Sequence, residues 1–176
     1  MTSPLTQTPA SSVLTVNTLP IIQESISQIL LAAGCENVWS RPIPPITAWE
    51  DFTNYIKVQD GVDLDKHEAW FITRSGFRVD PVSFGTFTKY QKMHRVAVQG
   101  LMWDMSFDET HDKMQNQTEK NAWWVERNKG GLHSSIIEIS EVNVDMSPQT
   151  LGDMYLYQST MTLGILMEET ETGGRQ

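Results

Sequence analysis

His94-Arg-Val-Ala-Val-Gln-Gly-Leu-Met102 lies near the start of Lys92 to Val144, the part of the chain around which the rest is organised. Its residues alternate. Val96, Val98 and Met102 lie on one side and Arg95 and Gln99 on the other, the period-two pattern of a half-buried strand. Asp104-Met-Ser106 stops the strand, and Ser106 followed by Glu109 fits a capping box. In that motif the hydroxyl accepts from an amide in the first turn, and the carboxylate reaches back to the cap amide. Phe107, Met114, Thr118, Ala122 and Val125 then give one modest apolar stripe at helical spacing. Asn128-Lys-Gly-Gly131 ends the helix, because glycine takes the left-handed conformation at little cost. Ser135 to Ile139 starts the next strand. The unit is strand, capped helix, strand, and it contains no catalytic motif.

Toward the N-terminus, Leu19, Ile22, Ile26, Ile29, Leu30 and Ala33 share one face of a helix over residues 19–33. Thr18 suits the N-cap, Pro20 is tolerated in the first turn, and Gly34 stops the helix. Residues 1–17, rich in Ser, Thr and Pro, read as a flexible arm. It is either a disordered end or a segment that orders on a neighbouring subunit through Val13, Leu14 and Val16. Glu36 to Arg41 suits a short strand, and Pro42, Pro44 and Pro45 force an extended crossing. Trp49, Phe52, Tyr55 and Ile56 recur at helical spacing in a second helix over 47–58. These aromatics either pack on the sheet or, Trp49 above all, form a partner-facing patch. Asp60-Gly-Val-Asp-Leu-Asp65 fails as a calcium loop. Counted from Asp63, His67 and Arg74 hold the fifth and twelfth places, where oxygen ligands are required. Glu68 to Arg74 reads as a strand, Ser75-Gly76 as a turn, Phe77 to Val79 as its continuation, and residues 80–86 as a loop.

From Phe87 to Trp103 the chain reads as one long strand, with a bend expected at Gly100. Lys89, Lys92, His94 and Arg95 make it the most basic part of the molecule, either a solvated face or a contact for the acidic face of another copy. Trp123 and Trp124 are adjacent on the central helix and so point about 100° apart. One packs and the other meets a loop or partner. Beyond it, Ile137 and Ile139 share a parity that Val142 and Val144 lack, which requires a bulge near Ser140-Glu141. Ser147-Pro148 with Gly152 reads as a turn. Tyr155 to Met167 alternates as a final strand, and residues 171–176 read as a disordered tail.

The whole describes one domain over 18–170. Net charge is −9, from 13 Lys and Arg against 22 Asp and Glu, so specific binding to a phosphate backbone is disfavoured. Cys35 is the single cysteine, so no disulfide forms within the chain, which fits assembly in a reducing cytoplasm. No signal peptide or membrane span is expected. The four histidines are scattered, no nucleophile elbow or phosphate loop occurs, and Asp108 and Glu109 suit the positive end of a helix dipole. No catalytic residue, cofactor or metal is expected, and the chain does not read as an enzyme.

The order of these parts resembles the small tail-terminator and neck proteins of long-tailed phages. The resemblance is carried by the apolar N-terminal helix, the proline-rich crossing, His94-Arg-Val-Ala-Val98 and Met102-Trp-Asp-Met-Ser-Phe-Asp-Glu109 opening a helix. Asn128-Lys-Gly-Gly131, Ile136-Ile-Glu-Ile139 and the last alternating strand complete it. It implies an α+β subunit, with an N-terminal and a central helix packed on an antiparallel or mixed β-sheet. It further implies a homo-oligomeric ring, usually of six copies, in the tail or neck of a virion. Such a ring caps the tail-tube protein, halts its growth and joins it to the head through a head-completion or connector protein. DNA would pass through without specific binding. The proline-rich crossing and the N-terminal arm are less typical and leave a connector adaptor open. A small monomeric binding module or enzyme of the host is the alternative from another class. The subunit contacts expected are Val13, Leu14, Val16, Trp49, Lys89, Lys92, Arg95, Trp123 and Trp124.

Overall fold

The computed structural model describes residues 18–43, Glu50, Asp51, Asn54, 68–84, 87–104, 107–128, 133–151 and 154–170. The N-terminal arm with Val13, Leu14 and Val16, Trp49, the acidic segment 60–65, Ser106, residues 129–131 and the tail lie outside them. Of the helix expected over 47–58, Glu50, Asp51 and Asn54 are described, and all three are helical.

Helix α1 spans Thr18–Ala32 and is followed by a two-residue strand β1, Val38–Trp39. Strands β2 (Glu68–Phe84) and β3 (Phe87–Asp104) form a long hairpin. Helix α2 (Phe107–Arg127) leads to a second hairpin of β4 (Ile136–Leu151) and β5 (Met154–Thr170). The sheet order is β1-β2-β3-β5-β4. β1 runs parallel to β2 and every other pair is antiparallel, so this is a mixed sheet in an α+β fold. Both helices lie on one face, α1 against β1 and β2, α2 against β3, β5 and β4.

The apolar periodicities explain the packing. Ile22, Ile26, Ile29 and Leu30 of α1 share one core with Trp70, Ile72, Val96 and Val98 of the sheet. Met114 and Val125 of α2 join the same core, with Met161, Leu163, Ile165 and Met167 of β5. Each fully buried aliphatic side chain contributes about 1.5–3 kcal/mol. The C-terminus of α1 closes as a Schellman motif. Cys35 N donates to Leu30 O and Gly34 N to Leu31 O, both at 2.9 Å, with Gly34 at φ +89°.

Several local expectations change. Ser75-Gly76 is a β-bulge and not a turn, and β2 continues to Phe84, so residues 80–84 are strand and not loop. Ser75 Oγ donates to Arg95 O at 3.2 Å, which lets the extra residue sit within the ladder. Likewise Pro148 lies inside β4, not in a turn. Both Pro81 and Pro148 belong to outer strands, where a missing N–H breaks no ladder. β4 holds the bulge expected between Ser140 and Asn143 and a second between Ile136 and Glu138. The second one brings Ile136 into the core beside Ile139 and leaves Ile137 exposed. Phe107 leaves the predicted helix stripe, whose buried members are Thr110, Met114, Thr118, Asn121 and Val125. Its ring packs edge-on to Tyr155 with centroids 5.5 Å apart. At Gly100, the site of the expected bend, pairing runs through on both sides without a register shift, and the Trp70 indole lies over the glycine.

Candidate subunit interface

Strand order decides which backbone is open. β2 has 17 residues, β3 18, β4 16 and β5 17, so each runs for about 55 Å at ~3.3 Å per residue. β1 covers the outer edge of β2 only at Trp70 and Phe71. Among the described residues, the rest of β2 and the whole of β4 pair with one strand each. Open edges of this length are templates for another strand.

The two edges differ in charge and match in apolar content. Phe77 is 57% and Val79 40% exposed on β2; Val144 is 39% and Met146 41% exposed on β4. All four lie on the helix-bearing face, since Phe77 pairs with His94, Val79 with Lys92, Val144 with Met161 and Met146 with Ser159. The Phe77 ring lies 6.0 Å from the buried His94 imidazole, and the Arg74 guanidinium sits 5.1 Å from its centroid. Among the described side chains, the exposed charges are Arg74 and Arg78 on the β2 edge and Glu138 and Asp145 on the β4 edge.

Of the expected contact residues, Lys89, Lys92, Arg95, Trp123 and Trp124 lie on described elements, the first three on β3 and the tryptophans on α2. β3 is hydrogen-bonded on both sides, and Lys92 and Arg95 lie on opposite faces of it. Lys89 stands between Val82 of β2 and Thr170 of β5 in the same sheet. Trp123 is 53% exposed beneath the Arg127 guanidinium, at 5.1 Å, while Trp124 packs against the core. Their rings meet edge-on at 5.6 Å. Unequal burial of this tryptophan pair is the outcome their 100° offset predicts. Periodicity alone does not single out Phe77, Val79, Val144 and Met146. The alternation through Phe77-Arg-Val79 and Val142-Asn-Val144 is visible in the sequence, but nothing in it marks an outer strand.

The other face of the sheet carries Thr73, Ala97, Gln99, Gln158, Thr160 and Thr162, half-buried and without charge, across its centre. At one end of that face Phe71, Leu101, Trp103 and Leu156 are buried, with the Trp39 ring 5.1 Å from Phe71.

Between the helices a polar knot replaces apolar packing. Gln117 Nε2 donates to Ala33 O at 3.2 Å and to Asn121 Oδ1 at 3.0 Å, and Cys35 Sγ donates to the same oxygen at 3.2 Å. This fixes the end of α1 to the middle of α2. Burial pushes the Cys35 thiol up to about 12, so it is not a thiolate at neutral pH. Burial also raises the Glu68 carboxyl above its ordinary value, against the stabilising bond its Oε1 accepts from Glu36 N. Among the described residues no three His, Cys, Asp or Glu side chains are grouped to hold a metal ion. No helix among them is long and apolar enough to cross a membrane.

No protein-family model matches the chain. No curated protein matches it either. One solved structure with a similar arrangement is a chain from the "virion of native gene transfer agent (GTA) particle". It has 10% identity and a TM-score of 0.46, covering 88% of this chain and 100% of that chain. A superposition that loose does not specify a function.

Proposed function

We propose that this chain is a structural subunit of a virion that acts by self-association. It forms a tail-terminator ring that caps the tail tube, stops its polymerisation and joins it to the head–neck complex. The observation that carries the proposal is the pair of long open edges on β2 and β4, which a single copy leaves without partner strands among the described residues. A head-to-tail contact between two different edges generates a ring when the rotation closes. The role is taken from the resemblance of the sequence's element order to tail-terminator proteins.

The two faces of the sheet suit such a ring. With the bulky helices outward, the opposite face turns toward the bore, with the uncharged Thr73, Gln99, Thr160 and Thr162 across its centre. A charge of −9 per copy adds a negative field. A duplex crossing the bore would release few counterions and would not be held. Shape and edge complementarity do this work, and no catalytic residue is required. The test is to add the purified protein to polymerising tail-tube protein and measure tube length by electron microscopy. Capping gives short tubes, each closed at one end by a ring. Tubes of unchanged length with bare ends reject the terminator role.

A further inference from the structure

The open edges carry enough detail to fix how two copies join. A prolyl nitrogen has no hydrogen to donate. In β2, Pro81 therefore stands opposite Tyr90 at a position whose amide side faces away from β3. Pairing runs unbroken from Pro81 to Phe77, so every second residue shares that orientation, and Val79 and Phe77 present N–H and C=O to the open edge. In β4, Pro148 stands opposite Tyr157, and pairing is unbroken to Val144. By the same alternation, Met146 and Val144 present their backbone groups to the other open edge.

We propose that β2 of one copy pairs antiparallel with β4 of the next, in the register Phe77 opposite Met146, Arg78 opposite Asp145 and Val79 opposite Val144. This rests on the ring reading above and adds the partner surface and its alignment. Antiparallel polarity continues the alternation of the four long strands. The register sets outward-facing backbone groups against each other at 77 with 146 and at 79 with 144. It puts four exposed apolar side chains on one face in two cross-strand pairs, and one Arg–Asp pair on the other face. A two-residue slip keeps the backbone match but sets Arg78 against Asn143 or Ser147 and loses the charge pair. A one-residue slip sends every side chain to the wrong face.

The geometry of closure agrees. Within one copy Met146 is level with Ser159, Gly100 and Trp70. In the proposed joint it faces Phe77 of the neighbour. Trp70 to Phe77 is seven positions, and the bulged Ser75 removes one, leaving a stagger of six residues per copy. Six residues at ~3.3 Å, over four strands ~4.8 Å apart, give a tilt of about 45°, the upper end of the usual range for closed barrels.

The test uses the full chain with paired cysteines, since the buried Cys35 thiol stays out of reach. Arg78→Cys with Asp145→Cys should give a ladder of disulfide-linked oligomers under mild oxidation. Arg78→Cys with Asn143→Cys or with Ser147→Cys should give a yield about tenfold lower, because bridging needs Cα atoms within ~7 Å. In a second arm, Arg78→Asp and Asp145→Arg should each weaken association about tenfold, and the two together should restore it. Wild-type protein that assembles while the link forms only with 143 or 147, or with none of the three, overturns the register and leaves the ring standing. Wild-type protein that stays monomeric, with no ladder from any pair, overturns both.

Discussion

Replacing Gly100 with alanine should damage the fold far more than a single methyl suggests. An added Cβ would lie 2.3 Å from Trp70 Cζ3, 2.6 Å from Cη2 and 2.7 Å from Cε3. Trp70 is only 1% exposed and packs in the middle of the core, so its ring has no free space to enter. Overpacking of this kind costs about 1–3 kcal/mol. Losing the burial of a large aromatic altogether, ~150–250 Å² at ~25 cal/mol per Å², would cost about 4–6 kcal/mol. A value of about 3 kcal/mol lies between the two limits. In a chain of this size that is about 6–12 °C in Tm. Gly76→Ala is the control, because nothing lies within 4 Å of the position its methyl would take and its φ is not positive. It should be neutral or stabilise by up to ~1 kcal/mol through the unfolded chain. Urea unfolding measures both. Combining Gly100→Ala with Trp70→Leu should recover about 1–3 kcal/mol of coupling. A Gly100→Ala protein within ~0.5 kcal/mol of wild type, or one whose loss is independent of residue 70, would refute the contact as the cause.

Other outcomes follow from the same core. Cys35 should resist thiol reagents in the folded protein and react on unfolding. Its thiol rises from 9.0 in the unfolded chain to about 12 folded, so its contribution is intact below pH 9 and falls as pH rises toward 12; alkaline denaturation of wild type against Cys35→Ala checks the sign. Glu68 also has a raised folded value, so wild type loses stability as pH climbs above 4.5. Glu68→Gln should therefore gain on wild type between pH 4 and 7, and a gap that shrinks over that range would contradict it. Met114→Ala should cost about 2–5 kcal/mol, as the side chain is fully buried. Trp123→Ala, half-exposed at the helix surface, should cost far less and reveal itself instead as weaker self-association in sedimentation.

The long periodic segments were legible because one face of each is buried. The α1 stripe and the β3 and β5 alternations depend only on the residues themselves. Where local chemistry has two uses, the sequence was ambiguous. Ser75-Gly76 and Ser147-Pro148 carry turn residues, yet the ladder absorbs one pair as a bulge and keeps the other on an outer strand. Gly100 was visible as an oddity, but its partner Trp70 is thirty residues away and only pairing brings them together. The open edges were hidden for the same reason. Lys92 and Arg95 stood out by charge, whereas Phe77 and Met146 matter by lying on outermost strands, a property of strand order.

Native mass spectrometry of the purified chain, across a concentration series, shows whether copies close into a ring. Self-association through two different edges predicts one closed oligomer of fixed copy number, with Phe77→Asp shifting it toward monomer. A monomer at every concentration, or dimers that never grow beyond two copies, would contradict it.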